Sequence, residues 1–193
     1  MEKLTRENLY SLEQYAQLRD AFRRRVLEHK RSRQIDIGPH ARLCFEDTLT
    51  IHYQVQEMLR VERIFEPAGI EDELTAYNPL IPDGHNWKAT FMLEYADPED
   101  RKVALRNLRG IEDRVYVRVG GAGRVVAVAD EDLERSTEEK TSAVHFLRFD
   151  LTPGMIRDAR GGAGILCGID HPHYRHEVDL PESIRASLVN DLA

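Results

Sequence analysis

The sequence predicts an α+β fold: a mainly antiparallel sheet packed against a long central helix, with amino- and carboxy-terminal helices covering the remaining apolar surface. Three observations carry this. The stretch RVYVRV-GGAG-RVVAVAD alternates on both sides of a glycine turn and so imposes an antiparallel pair. Helical and strand patterns do not alternate regularly, which argues against an all-parallel sheet. Residues 48–66 read as one long amphipathic helix. With 193 residues and 41% hydrophobic content, the chain can bury one good core, and a single domain over 1–193 is expected.

Taken in order, Leu12, Tyr15, Leu18, Phe22 and Val26 recur at helical spacing, and Ser11 with Gln14 forms a capping box, so a first helix should run to about His29. Its outer face is basic, with Arg19, Arg23, Arg24, Arg25 and Lys30, but no aromatic platform accompanies it, and a solvated face is expected rather than a nucleic-acid surface. Gly38-Pro39 separates short strands at 35–37 and 41–45. The long helix follows from Thr48 to Glu66. At about 100° per residue, Ile51, Val55, Met58 and Phe65 line one stripe with Glu62 among them. A carboxylate there should face the core, where it needs a cation, a donor, a metal or a retained proton. Glu62 is therefore a candidate catalytic residue, with an arginine pair as the plainer reading.

A short helix at 70–77 leads to the loop NPLIPDGHN and a strand at 87–95. Asp97-Pro98 starts a helix that Gly110 ends. After the glycine hairpin and the charged loop EDLERSTEEK, the strand SAVHFLRFD places His145 on a buried face with Ala143, Leu147 and Phe149, making it a second candidate catalytic residue. Thr152-Pro153 opens a short helix, 165–169 is a strand, and Pro181 begins the terminal helix.

Several function classes are excluded. The net charge of −7, from 34 acids against 27 bases, disfavours general attraction to nucleic acid or anionic membrane. No apolar run approaches a membrane span and MEKLTRENLY lacks a signal-peptide core, so a cytoplasmic location is expected. Cys44 and Cys167 form no CxxC, which leaves nitrogen and oxygen ligands for any metal. Both GGAG motifs lie in the wrong context for a phosphate loop: the first joins strands and the second leads from helix to strand. There is no G-x-S-x-G elbow and no H-E-x-x-H helix.

What remains is DHPHYRHE, residues 170–177. If the strand from 165 continues past Pro172, His171 and His173 share a face about 6.6 Å apart along the chain, and Glu177 has the same parity. His171, His173 and Glu177 then form a strand-based metal triad, with His176 as the alternative third ligand if the chain turns. Such a set suits iron(II), manganese or zinc. The plainer reading is a surface turn after a strand.

The stretches YSLEQYAQLR, FRRRVLEHKRSR, FEDTLTIHYQVQEMLRVERIFE, AYNPLIPDG, EDLERSTEEKTSAVHFLRFDLT and DHPHYRHE, in this order, resemble a bacterial family of about this length catalogued as a domain of unknown function. That family is often encoded beside rubrerythrin-like proteins and iron–sulfur oxidoreductase subunits, so the resemblance implies a role in redox or peroxide metabolism; it has no assigned active site. The expected function is therefore a cytoplasmic accessory protein of redox metabolism binding one metal ion. Two alternatives stand beside it. One is a non-enzymatic module, homo-oligomeric or monomeric, that docks on a redox protein. The other is a pocket near NPLIPDG and HFLRF gripping an anionic ligand with arginines.

Overall fold

The computed structural model describes residues 2–193 and contains two antiparallel sheets where one was expected. The elements are α1 (Leu12–Lys30), β1 (Gln34–Ile37), β2 (Ala41–Phe45), α2 (Thr48–Glu62), α3 (Pro67–Tyr77), β3 (Asn86–Leu93), α4 (Pro98–Asn107), β4 (Val115–Val119), β5 (Val125–Val126), β6 (Val128–Ala129), β7 (Val144–Asp150), α5 (Pro153–Arg160), β8 (Ile165–His171), β9 (Tyr174–Asp179) and α6 (Glu182–Val189). One sheet has the order β1-β2-β3-β7-β6 and the other β5-β4-β8-β9. The glycine turn at 120–123 gives the predicted hairpin, but its return strand is split. Val125 and Val126 pair with β4, whereas Val128 and Ala129 pair with β7. The short segment 125–129 thus carries the chain from one sheet to the other.

The opposite edges, β1 and β9, are joined by a side chain. The Tyr174 hydroxyl donates to the Ile37 carbonyl at 2.7 Å and accepts the N–H groups of His40 at 3.0 Å and Ala41 at 3.1 Å. Gly38 makes room for this contact. It has φ +73°, and a Cβ there would come within 2.6 Å of the His176 ring and 2.8 Å of the Tyr174 hydroxyl. Between the sheets lies one apolar core, in which Leu43, Phe45, Trp87, Phe91, Val117 and Cys167 are buried.

The expectation that the sheet packs on a long central helix is corrected. Because each sheet buries its inner face against the other, α2 is not needed as a lid. Its Ile51, Val55 and Leu59 instead form a separate cluster with Leu4, Leu74 and Ile81. Nor is it the longest helix, with 15 residues against 19 in α1. It stops at Glu62 because Arg63 takes the left-handed conformation, φ 55°, ahead of Pro67. The carboxy-terminal helix does cover the sheets: Ile184 and Leu188 of α6 join the main core, and the Leu188 carbonyl accepts Trp87 Nε1–H at 3.0 Å. The amino-terminal helix instead packs on α2, with Tyr15, Phe22 and Val26 buried against Leu49 and Tyr53. Among the described residues no helix is long and apolar enough to cross a membrane.

One buried cation ties α1, β2 and α6 together. Arg33, 2% exposed, forks onto Asp191 at 2.5 and 3.2 Å and donates to the carbonyls of Phe45 and Glu46 at 3.0 Å each. Asp47, the N-cap of α2, lies 3.3 Å from Arg33 and 2.5 Å from His29. Burial pushes the Asp191 carboxyl up to about 6 against the pull of Arg33.

Replacing either the seam or the cation should be costly. Tyr174→Phe leaves a buried carbonyl and two N–H groups without their partner, and a loss of about 1–3 kcal/mol is expected from urea unfolding midpoints. Arg33→Ala strands Asp191 and should cost about 3–5 kcal/mol in the same measurement.

Candidate functional site

The hairpin that carries DHPHYRHE does not continue as one strand. The chain reverses at Pro172-His173, so His171 pairs with Tyr174, Ile169 with His176 and Gly168 with Glu177. Directly opposed residues share a face. His171 and His176 therefore lie on the side of Ile169, while Glu177 lies on the other with Asp170 and Arg175. The expected grouping of His171, His173 and Glu177 on one strand face is corrected by this reversal.

His171 and Glu177 are also engaged in hydrogen bonds of their own. His171 is buried, with Nε2–H donating to the Arg109 carbonyl and Nδ1 accepting His173 N–H, both at 3.2 Å. Its proton and its lone pair are both used, and burial lowers its pKa. His173 occupies the exposed turn, its ring centroid 5.8 Å from that of His171. His176 packs on Tyr174 at 4.8 Å. Glu177 accepts the Tyr116 hydroxyl and pairs with Arg124, whose guanidinium lies 4.0 Å above the Tyr116 ring. Hydrogen bonding by Tyr116 and the nearby Arg118 and Arg124 hold Glu177 below the usual carboxylate range. Among the described residues, no group of three or more His, Cys, Asp or Glu is placed to hold a metal ion.

Glu62 is exposed, together with Val61 and Phe65. The buried stripe of α2 runs through Thr50, Ile51, Val55, Gln56 and Leu59, and the helix ends before Phe65 can extend it. The expectation of a core-facing Glu62 is corrected accordingly.

His145 is fully buried, at the centre of a polar cluster whose other members escaped the sequence reading. Its Nδ1 is 2.6 Å from Asp130 Oδ2, and its Nε2 is 2.8 Å from Thr141 Oγ1 and 3.1 Å from the Ser142 carbonyl. Thr141 donates at 2.8 Å to buried Glu112, which also accepts the Ser136 hydroxyl. Asp130 is held at φ 50° by Phe146 N–H at 2.9 Å and by Arg135 at 3.1 Å. Hydroxyl, imidazole and carboxylate here superficially match a nucleophile triad, yet the protons are wrong for one. A base must accept the hydroxyl proton at Nε2. In this cluster Nε2 faces a carbonyl that can only accept, and the Thr141 proton points to Glu112. The arrangement fastens both ends of the loop 130–141 to the sheet.

The thiols and the anticipated arginine pocket are likewise occupied or inert. Burial pushes Cys44 up to about 11 and Cys167 up to about 12, far from a reactive thiolate. Arg148 of the HFLRF strand is spanned by Glu131 at 2.8 Å and by Asp150. A concavity of about 930 Å³ lies elsewhere. It runs between the amino-terminal segment and the α2–α3 junction, lined by Leu9, Leu12, Leu59, Ile64, Phe65 and Ile70. Phe65 is 67% exposed and Val61 62%. No local signal in the sequence marks this groove, because the left-handed helix end falls on Arg63 rather than on a glycine or asparagine and the helical pattern runs on to Glu66.

The fold and this geometry define an α+β protein of two facing antiparallel sheets with an apolar groove on its helical flank. Within that class the chain belongs to a family described as "Protein of unknown function (DUF3501)", whose model matches residues 3–192. It is also similar to a solved structure described as a novel protein of unknown function from Burkholderia pseudomallei K96243, at 50% identity over 100% of both chains with a TM-score of 0.95. Comparison with curated proteins finds no match.

The loop clasp has a defined pH signature. Burial pushes Glu112 up, but hydrogen bonds from Ser136, its own backbone and Thr141, together with His145, hold it below its ordinary 4.5. A depressed carboxyl contributes stability above its unfolded value that is lost as pH falls through the folded one. Glu112→Gln should therefore lower stability at pH 7 by about 1–3 kcal/mol. It should also make the loss below about pH 4.5 shallower. Urea midpoints at neutral and acid pH check this; an acid slope as steep as that of the unsubstituted chain contradicts it.

Proposed function

We propose that the protein is a non-enzymatic partner-binding module whose docking face is the groove between residues 5–13 and the α2–α3 junction. The observation that carries this is the exposure of Val61 and Phe65 at that junction, with Phe65 lining a groove large enough for several side chains. Desolvating such a pair is favourable only on association, at about 25 cal/mol per Å² of apolar area buried. The polar groups that chemistry would need support the same reading, because they are spent on internal bonds: His171 on Arg109, His145 on Asp130, Glu177 on Tyr116 and Arg124. A redox protein as the partner is what the family resemblance implies.

The metal-binding accessory reading ranks second, as His171 would have to give up the hydrogen bond that its Nδ1 accepts from His173 N–H to become a ligand, and no second and third ligand stand beside it among the described residues. The test uses purified rubrerythrin-like protein and iron–sulfur oxidoreductase subunit from the same source, with binding followed by interferometry. We expect one of them to bind the intact chain, with affinity reduced about ten-fold or more by Val61→Ser/Phe65→Ser, equivalent to about 1.4 kcal/mol. Binding unchanged in the variant, or none with either protein, contradicts the docking face. Stoichiometric metal lost on His171→Ala/His173→Ala would restore the second reading.

A further inference from the structure

Resting on the docking reading, we propose that the groove receives a short amphipathic helix of a partner protein, with apolar anchors flanked by lysine or arginine. The charge of the groove points to the flanks. Arg6 is the sole cation among its lining residues, against Glu7, Glu13 and Glu71. Glu62 and Glu66 flank the junction with Arg63 between them, and Asp72 and Glu73 follow Glu71. None of these carboxylates forms an ion pair with another side chain among the described residues. Some carboxylates elsewhere are matched, as Glu57 is by Arg19 and Arg60 and Asp170 by Arg124 and Arg175, and others such as Asp20, Asp100 and Asp158 are not; what sets this junction apart is that its unpaired acids are grouped beside apolar surface. The acids at this junction also act on one another, since burial and the charges of Glu62 and Asp72 push Glu73 up. A net-acidic rim around an apolar floor steers a cationic amphipathic partner and repels an acidic one.

The backbone of the groove points to a helix rather than an added strand. Strand addition needs free N–H and C=O groups along an edge. Here the wall is already satisfied: Leu9 N–H donates to the Arg6 carbonyl, Tyr10 N–H to Gln56 at 2.6 Å and Ser11 N–H to Gln14 at 3.0 Å. The Ser11 carbonyl accepts Tyr15 N–H at 2.8 Å. An occupant must therefore bring its own backbone hydrogen bonds, as a helix does, and offer only side chains.

The probes are two synthetic helical peptides of about 18 residues, roughly five turns, with the same leucine and phenylalanine stripe. One carries lysine and arginine on its polar face and the other glutamate. Fluorescence anisotropy is measured with the intact chain, with Phe65→Ser, and with Glu7→Lys/Glu13→Lys/Glu71→Lys, all shown to be folded by their thermal unfolding. The basic peptide should bind about ten-fold or more tighter than the acidic one, the preference should invert in the triple variant, and Phe65→Ser should weaken both. Tighter binding of the acidic peptide at the same groove overturns the basic-helix assignment while leaving the docking face standing. So does a dimer in sedimentation that Phe65→Ser dissociates, because a second copy of the chain is then the occupant. Binding of neither peptide, with a monomeric chain, overturns the docking reading as well.

Discussion

The hydroxyl of Tyr174 is the constraint on which the arrangement of the two sheets depends. Segment 125–129 joins them along one side, but β1 and β9 share no backbone ladder, and the three hydrogen bonds to Ile37, His40 and Ala41 hold that side shut. Gly38 permits the approach because its positive φ and missing Cβ leave space for the Tyr174 and His176 side chains. Once Tyr174 is anchored, the orientation of the β8–β9 hairpin follows. His171 turns inward to Arg109, and Glu177 turns outward to Tyr116 and Arg124. A histidine-rich stretch that could have gathered a metal is thereby spread over two faces.

The same logic runs through the other buried polar groups. Arg33 links segments 158 residues apart through Asp191, and His145 with Glu112 and Asp130 pins the charged loop at both ends. Each buried charge has a partner because an unpaired one would cost more than its pair contributes. These groups therefore stabilise particular tertiary contacts. The acids around Phe65 are different: they form no ion pairs, are mostly exposed and are grouped beside apolar surface, the combination that association rather than folding makes use of.

Much of the fold was legible in the sequence where its cause is local. Ser11 with Gln14, Asp97 ahead of Pro98, and Thr152 ahead of Pro153 start helices as expected. The alternation around Gly120–Gly123 produced its hairpin. The buried position of His145 was also legible, from strand parity alone. Three features were not. The reversal at Pro172-His173 agrees with the plainer reading of a surface turn, but it has none of the Asn-Gly or Asp-Gly chemistry that fixes a two-residue turn, so its register was not legible and the extended-strand reading inverted the parity of Glu177. Arg63 ends α2 in a conformation usually given to glycine or asparagine, which hid the helix end and turned Glu62 and Phe65 inward on paper. The pairing of Arg33 with Asp191, like the destination of the Tyr174 hydroxyl, is purely tertiary and leaves no mark at short range.

The central claim is that association, at the α2–α3 junction, is what the surface of this protein is built for. Its most direct test is photo-crosslinking in the cells that make the protein, with benzoylphenylalanine in place of Phe65 or, on the exposed edge strand β5, in place of Val126. The account predicts a discrete adduct from position 65 that is lost when Glu7, Glu13 and Glu71 are reversed to lysine, and none of comparable yield from position 126. Equal adducts from both positions, or adducts from position 126 alone, would contradict it.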